Sequence, residues 1–268
     1  MIANARMYAI NTTVSAAWRM LLEWVIARAG VPCEVIDYPA PAPLPALWAR
    51  PDAGCVFMCG YPIATAMPPP RILVAPVPAP ARYNGKPVYC TDIVVRADSP
   101  VRQLPDIFGR RFAFTTADSQ SGYQAPRRLF APFARNRGGR LFESTVGPLV
   151  TPRRVVEAVV SGEADAGPLD SYFHDLLRHH EPDVAAKLRV LASTPMTPIP
   201  ALVAASTVPE GIAQRLTAAL LAVGDANELA PARTDLLLRR FDPVDPESFG
   251  VLRNDALNTD KAGYPRIA

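Results

Sequence analysis

The sequence predicts an α/β fold of two lobes, each lobe a mostly parallel sheet flanked by helices, with two hinge crossings between them. Three observations predict it. Short apolar runs alternate with amphipathic helical segments along the chain, the order that builds parallel sheets covered by helices. The 268 residues suffice for two cores, and 49% hydrophobic against 20% charged residues is an ordinary globular composition. The chain also leaves and re-enters its first sheet near Val95 and near Thr197. The expected division is 1–95 plus 197–268 for lobe one and 96–196 for lobe two. Two crossings make a hinge, and a cleft between lobes is where such folds hold small ligands.

The elements follow in order. RMYAIN (6–11) reads as a strand, and SAAWRMLLEWVIARAG (15–30) as a helix capped by Ser15 or a preceding Thr and stopped by Gly30. PCEVIDY (32–38), GCVFMCG (54–60) and RILVAPV (71–77) are the next strands. PVYCTDIVVRADS (87–99) is a long strand leading into lobe two. There the strand RRFAFT (110–115) hands over to a helix from about Tyr123 to Ala134. GRLFESTV (139–146) is a strand, PRRVVEAVVSGEA (152–164) a helix, DAGPLD (165–170) a short buried strand and SYFHDLLRHH (171–180) a helix. KLRVLAST (187–194) closes that lobe. PALVAAST (200–207) returns as a strand to the first sheet, and PEGIAQRLTAALLAVGD (209–225) is a long helix with Pro209 in its first turn. A further helix around Arg233 to Arg240 and an irregular tail finish the chain. The 30 prolines cluster between these elements and stiffen loops.

Composition also excludes. A net charge of +3 and the absence of a long basic run argue against nucleic acid as a partner. No apolar run approaches the roughly 18 residues that span a bilayer, so direct membrane insertion is not expected. MIANARMYAINTTVSAAW lacks the pattern of an export leader, which places the chain in the cytoplasm as written, and in the periplasm if a leader was trimmed or missed. Cys33, Cys55, Cys59 and Cys90 form no CxxC pair and read as buried free thiols. No metal, cofactor or oligomer is implied, and a monomer is expected. GxSxG, P-loop, GxGxxG and HExxH motifs are absent. His174, His179 and His180 read as helix-surface residues.

The stretch FAFTTADSQSGYQAPRRL (112–129) crowds small hydroxyls where a strand becomes a helix. A helix start carries unpaired N–H groups and the positive end of the helix dipole, and hydroxyls there add neutral donors. That combination is an anion site. Thr116, Ser119, Ser121 and the amide of Gly122 are the candidates; the alternative is plain N-capping by one serine. Asn11, Thr12 and Thr13, between the first strand and first helix, form a second cluster of the same kind, with capping again the alternative. Carboxyl ends of strands are where open α/β sheets take ligands. Arg127 and Arg128 would sit at the mouth or be solvated surface.

Cys59-Gly60-Tyr61-Pro62 after a buried strand, Tyr89 before Asp92-Ile93-Val94-Val95, SQSGYQAPRRL, and GEADAGPLDSYFHDLL (162–177) occur in order along most of the chain. Together they resemble the phosphate/phosphonate-type solute-binding proteins of ABC transporters, a type II periplasmic-binding fold. The resemblance implies a protein that closes on a small oxyanion and hands it to a transporter permease. It also implies ligand contacts from Tyr61, Tyr89, Ser119, Ser121 and Asp170, with Thr116 as a further match. Asp170 would accept a proton or amine from the ligand or orient neighbouring donors; alternatively it is a helix N-cap. Where many relatives carry a glycine–histidine pair, this chain reads VGPLVTPRRVV, with Leu149 or Val150 in the histidine's place. Two other classes stand beside this reading. One is a cytoplasmic sensor whose closed form meets a partner protein; the other is a small-molecule enzyme, a lyase or biosynthetic, on the same fold.

Overall fold

The structure is a computed structural model that describes residues 1–268, the side chain of Asn136 apart. The chain begins with β1 (Ile2–Asn4), α1 (Thr12–Ala29), β2 (Glu34–Val35), α2 (Leu44–Trp48), β3 (Ala53–Met58), α3 (Gly60–Thr65) and β4 (Arg71–Pro78). After β5 (Val88–Tyr89) come β6 (Thr91–Arg96), β7 (Arg111–Ala113), a π-helical turn (Gln120–Gln124), α4 (Ala125–Ala134), β8 (Ser144–Val146) and α5 (Pro152–Ser161). β9 (Ala166–Asp170), α6 (Ser171–His180), α7 (Pro182–Ala185), β10 (Leu188–Ser193) and β11 (Thr197–Pro198) follow. The last elements are β12 (Ala201–Ala204), α8 (Glu210–Leu221), α9 (Ala230–Asp235), β13 (Leu238–Asp242) and α10 (Gly250–Lys261). The chain divides into unit 1, Met1–Val88 with Pro198–Phe249, and unit 2, Tyr89–Thr197 with Gly250–Ala268.

Unit 1 carries a six-stranded sheet in the order β13-β4-β12-β3-β1-β2. β1 runs parallel to β2 and β3, while β12 is antiparallel to β3 and β4, and β13 antiparallel to β4. Helix α1 buries Val14, Ala17, Trp18, Leu21, Leu22 and Val25 at three- and four-residue spacing. Each of the valines and leucines among them contributes about 1.5–3 kcal/mol. Trp18 and Tyr8 both meet Phe57 of β3 edge to face, at 5.1 and 5.2 Å between ring centres. Gly30 ends the helix at φ +60°, a left-handed cap that glycine adopts without strain.

Unit 2 carries a five-stranded sheet in the order β10-β6-β9-β7-β8. β7 is parallel to β8 and β9, and β6 is antiparallel to β9 and β10. Phe112 stacks on Phe142 at 4.7 Å, Phe130 meets both rings, and Tyr264 and Ile267 of the C-terminal tail close this core.

Both sheets are therefore mixed rather than mostly parallel. The reason is where the chain enters. β6 enters unit 2 opposite the end of β9, pairing Thr91 with Asp170, and must run back against it. β12 re-enters unit 1 opposite the end of β3, pairing Ala201 with Met58. Each entry falls at the carboxyl edge of the parallel strands.

Other expectations change too. The first strand is Ile2–Asn4, and residues 6–8 form a 3-10 turn started by Asn4, whose Oδ1 accepts from the Arg6 amide at 3.0 Å. The helix expected around 233–240 stops at Asp235, and residues 238–242 become β13 because the open edge of β4 offers backbone partners. Pro209 is the N-cap of α8 rather than part of its first turn. The tail, assigned with 197–268 to lobe one, folds as α10 onto α4 of unit 2. None of the four cysteines is in a disulfide, with Cys33 half-buried and the other three buried; burial pushes the Cys55 thiol well up.

Candidate ligand-binding site

In unit 2 the parallel strands β7 and β9 end at one edge, and each hands over to a helix there. Beyond β7 the chain makes a turn, Ser119 N–H to Thr116 O at 3.0 Å, and enters the π-helical turn that leads into α4. Ser119 is the N-cap: its Oγ accepts from the Gly122 amide at 3.0 Å. Its hydroxyl proton stays available. Thr116 is half-buried and Ser121 is 8% exposed, and among the described residues neither hydroxyl takes a partner within the protein. The first-turn amides add further donors, since a helix start has no intrahelical acceptor for them.

Beyond β9, Asp170 is the N-cap of α6. Its Oδ1 accepts from the amides of Tyr172 at 2.8 Å and Phe173 at 3.1 Å. Tyr172 is fully buried, and burial first, then Asp170 and Asp175, pushes its hydroxyl well above the usual range.

Thr91 brings these two helix starts together. It pairs with Asp170 across the sheet, and its Oγ1 donates to Ser121 O at 3.1 Å. Sequence reasoning missed Thr91, and missed Thr115 as well. Thr115 is 4% exposed, and its buried hydroxyl, pressed against Gly122, has no hydrogen-bond partner among the described residues. A Cβ at residue 122 would overlap Thr115 Oγ1 and lie 2.9 Å from both Thr115 Cβ and Ser119 Oγ. The SxSG pattern marks the glycine; nothing local marks the threonine it accommodates. The loop 147–151 also joins this edge, with Val150 N–H bonded to Thr115 O at 3.2 Å and Val150 itself at φ +66°.

In unit 1, β1 and β3 are parallel and end at one edge. Asn11, Thr12 and Thr13 follow β1 and start α1. Asn11 Oδ1 accepts from Val14 N–H at 3.0 Å, and Thr12 and Thr13 are exposed. Tyr61 follows β3 on α3 and is half-buried. The expected unit 1 residues thus share one carboxyl edge.

Four expectations need correction. Gly122 offers no free amide, because Ser119 takes it; its role is to leave room for Thr115. Tyr89 is 1% exposed, a buried residue rather than an open donor. Arg127 is 3% exposed and bonded to Gln124, Asp260, Tyr264 O and Ala256 O, while Arg128 pairs with Asp255. Neither is an unpaired charge at a mouth. His174 is buried at 1% exposure, with Nδ1 2.8 Å from Asp92 Oδ2.

Ser193 Oγ donates to the other oxygen of Asp92 at 2.7 Å. A serine, a histidine and an aspartate thus meet, but with the carboxylate in the middle. A nucleophile needs the base beside it, and here both side chains address the acid. Among the described residues no cluster of His, Cys, Asp and Glu could hold a metal ion, and no helix is long and apolar enough to cross a membrane.

Residues 11–249 match the family model described as ABC transporter, phosphonate, periplasmic substrate-binding protein. The chain belongs to this family. Its members are transporter solute-binding proteins, not enzymes. Solved structures agree on the fold. A binding-protein component of an ABC phosphonate transporter from Pseudomonas aeruginosa aligns with TM-score 0.80 at 17% identity, covering 98% of this chain and 87% of that one. PhnD1 of Prochlorococcus marinus in complex with methylphosphonate aligns with TM-score 0.76 at 14% identity, covering 97% and 98%. The alkanesulfonate-binding protein SsuA of Xanthomonas axonopodis pv. citri bound to MOPS gives 0.62 at 16% identity, covering 98% and 92%. These are two-lobe proteins of the type II periplasmic-binding fold. Among curated proteins, none matches the chain.

Proposed function

We propose that this chain captures a phosphonate-like oxyanion in the periplasm and presents it to an ABC transporter permease. The observation that carries the reading is the pair of helix starts joined by Thr91. The hydroxyls of Thr116, Ser119 and Ser121 would donate to the oxyanion at the positive end of a helix dipole. Asp170, an N-cap at the same edge, would orient these donors or accept from a cationic substituent on the ligand. Tyr61, Asn11 and Thr12 of unit 1 would be further donors to an oxyanion of this class. The methylphosphonate complex of PhnD1 supports this choice of ligand class.

Thermal unfolding against methylphosphonate, 2-aminoethylphosphonate, phosphate, phosphite, sulfate, carboxylates and sulfonates tests it. A ligand at 100 times its dissociation constant should add about 2.7 kcal/mol of stability. The expected outcome is an upward shift with a phosphonate that Ser121→Ala abolishes. Ser121 is the cleaner probe, because Ser119→Ala also removes a helix cap worth about 1 kcal/mol. No shift with any phosphorus oxyanion would refute the ligand class.

A further inference from the structure

We propose that Asp92 is a positioning residue for the ligand site: a buried carboxylate whose hydrogen bonds hold β6 in the register that joins the two helix starts. The inference rests on the proposed site above, and it concerns a residue with no place among that site's contacts.

Asp92 is 0% exposed on β6. Its Oδ2 lies 2.8 Å from His174 Nδ1 on α6, and its Oδ1 accepts from Ser193 Oγ on β10 at 2.7 Å. As an ionised carboxylate Asp92 would accept from His174 Nδ1–H, in the tautomer that places the ring proton on that nitrogen. Residues 90–92 then form a continuous strip of bonds. Thr91 N–H donates to Thr194 Oγ1 at 2.9 Å, and Thr194 N–H returns to Thr91 O at 2.9 Å. Cys90 N–H donates to Ser171 Oγ at 3.0 Å, and Ser171 N–H returns to Cys90 O at 2.9 Å. Ser171 is the first residue of α6, next to Asp170. Thr91 reaches Ser121 O. Moving β6 by a fraction of a residue would therefore disturb both helix starts.

A carboxylate is a poor choice here on stability alone. Burying a charge carries a desolvation penalty that its partners offset only when the geometry is good, and a well-packed apolar side chain in its place is often neutral or stabilising. What Asp92 supplies and a leucine would not is direction. It ties α6, β6 and β10 to one point, a registry role of the kind best attested for buried polar groups.

The test compares Asp92→Asn and Asp92→Leu by amide hydrogen exchange without ligand and by calorimetric titration with methylphosphonate. Asparagine can accept from His174 and donate to Ser193, so it should leave exchange and affinity within about threefold of the parent. Leucine removes the bonds to His174 and Ser193, and the weak one from Cys90 Sγ. It should speed exchange at the amides of Gly122, Tyr172 and Phe173 by about tenfold or more relative to α5, and weaken methylphosphonate by about tenfold. An even rise across unit 2, or affinity unchanged in the folded Asp92→Leu protein, would overturn the proposal and leave Asp92 a stability residue only. Should the leucine variant not fold, Ser193→Ala, at the exposed end of β10, carries the test with a smaller shift in the same direction. A parent protein that fails to bind methylphosphonate refutes the proposed ligand, and the exchange pattern still decides the role of Asp92.

Discussion

At the scale of single residues the site depends on what is missing as much as on what donates. Gly122 matters because it has no Cβ, and Thr115 fills the space. Gly122→Ala should destabilise by about 1–3 kcal/mol, the usual cost of overpacking a tight contact. Thr115→Ala removes the hydroxyl that the new methyl would meet first, so the double variant should recover part of the loss. A double-mutant cycle of urea midpoints measures this, and additive losses would show that the two residues do not share the space. Ser119 and Ser121 differ in a related way: the hydroxyl of one caps the helix, and among the described residues the hydroxyl of the other takes no partner, its carbonyl alone holding Thr91. Val150 is a further anomaly, a β-branched residue at φ +66°. That conformation is costly for such a side chain, and strain of this sort gathers at functional edges.

At the scale of elements, legibility tracked whether the cause was local. SYFHDLLRHH became α6 at the residues expected, because its cap, Asp170, and its apolar spacing are both written within ten positions. The first helix and the one after β7 were legible as helices, but they begin earlier than the expected 15 and about 123: Asn11, not Ser15 or a threonine, caps α1, and a π-helical turn capped by Ser119 precedes α4. The partner of Asp92 lies 82 residues away, and α10 docks through Arg127 some 130 residues earlier. No periodicity in either segment announces such pairings, so His174 looked like surface and Arg127 like a spare charge. β13 was hidden because an open sheet edge overrode helical propensity. Elements also carry the pH dependence. Burial pushes the Asp165 carboxyl up, but hydrogen bonds from the Arg111 side chain and amide, which lock the start of β7 to the approach to β9, hold it below the ordinary value. A depressed carboxyl contributes stability above its unfolded pKa, near 3.9, and loses it as pH falls through the folded value. Asp165→Asn should therefore lower the urea midpoint at pH 7, with the gap to the parent shrinking as pH drops below about 4. A gap that stays constant with pH would assign the effect to packing.

At the scale of the whole molecule the chain passes between units three times, near 88, 197 and 249, where sequence reading expected two passages. The third passage delivers α10 and the tail to unit 2. They are not an appendage. Tyr264 and Ile267 lie in the same core as Phe112, Phe130 and Phe142, and the final carbonyl, Ala268 O, accepts from the amides of Leu141 and Phe142. Arg127, with its guanidinium on Ala256 O, Tyr264 O and Asp260, would be left as a buried charge if they were removed. A chain ending at Phe249 should consequently lose hydrogen-exchange protection in β7, α4 and residues 141–142, while β1, α1 and β3 of unit 1 keep theirs. Mass-spectrometric exchange on the full and shortened chains reads both units in one experiment. Equal loss in both units would mean that they fold as one cooperative body, and the helix-start edge of unit 2 would then owe its order to unit 1 as much as to its own core. Selective loss would mean that the last nineteen residues hold α4, and with it the helix start where Ser119 and Ser121 stand, as a matter of unit 2's own packing.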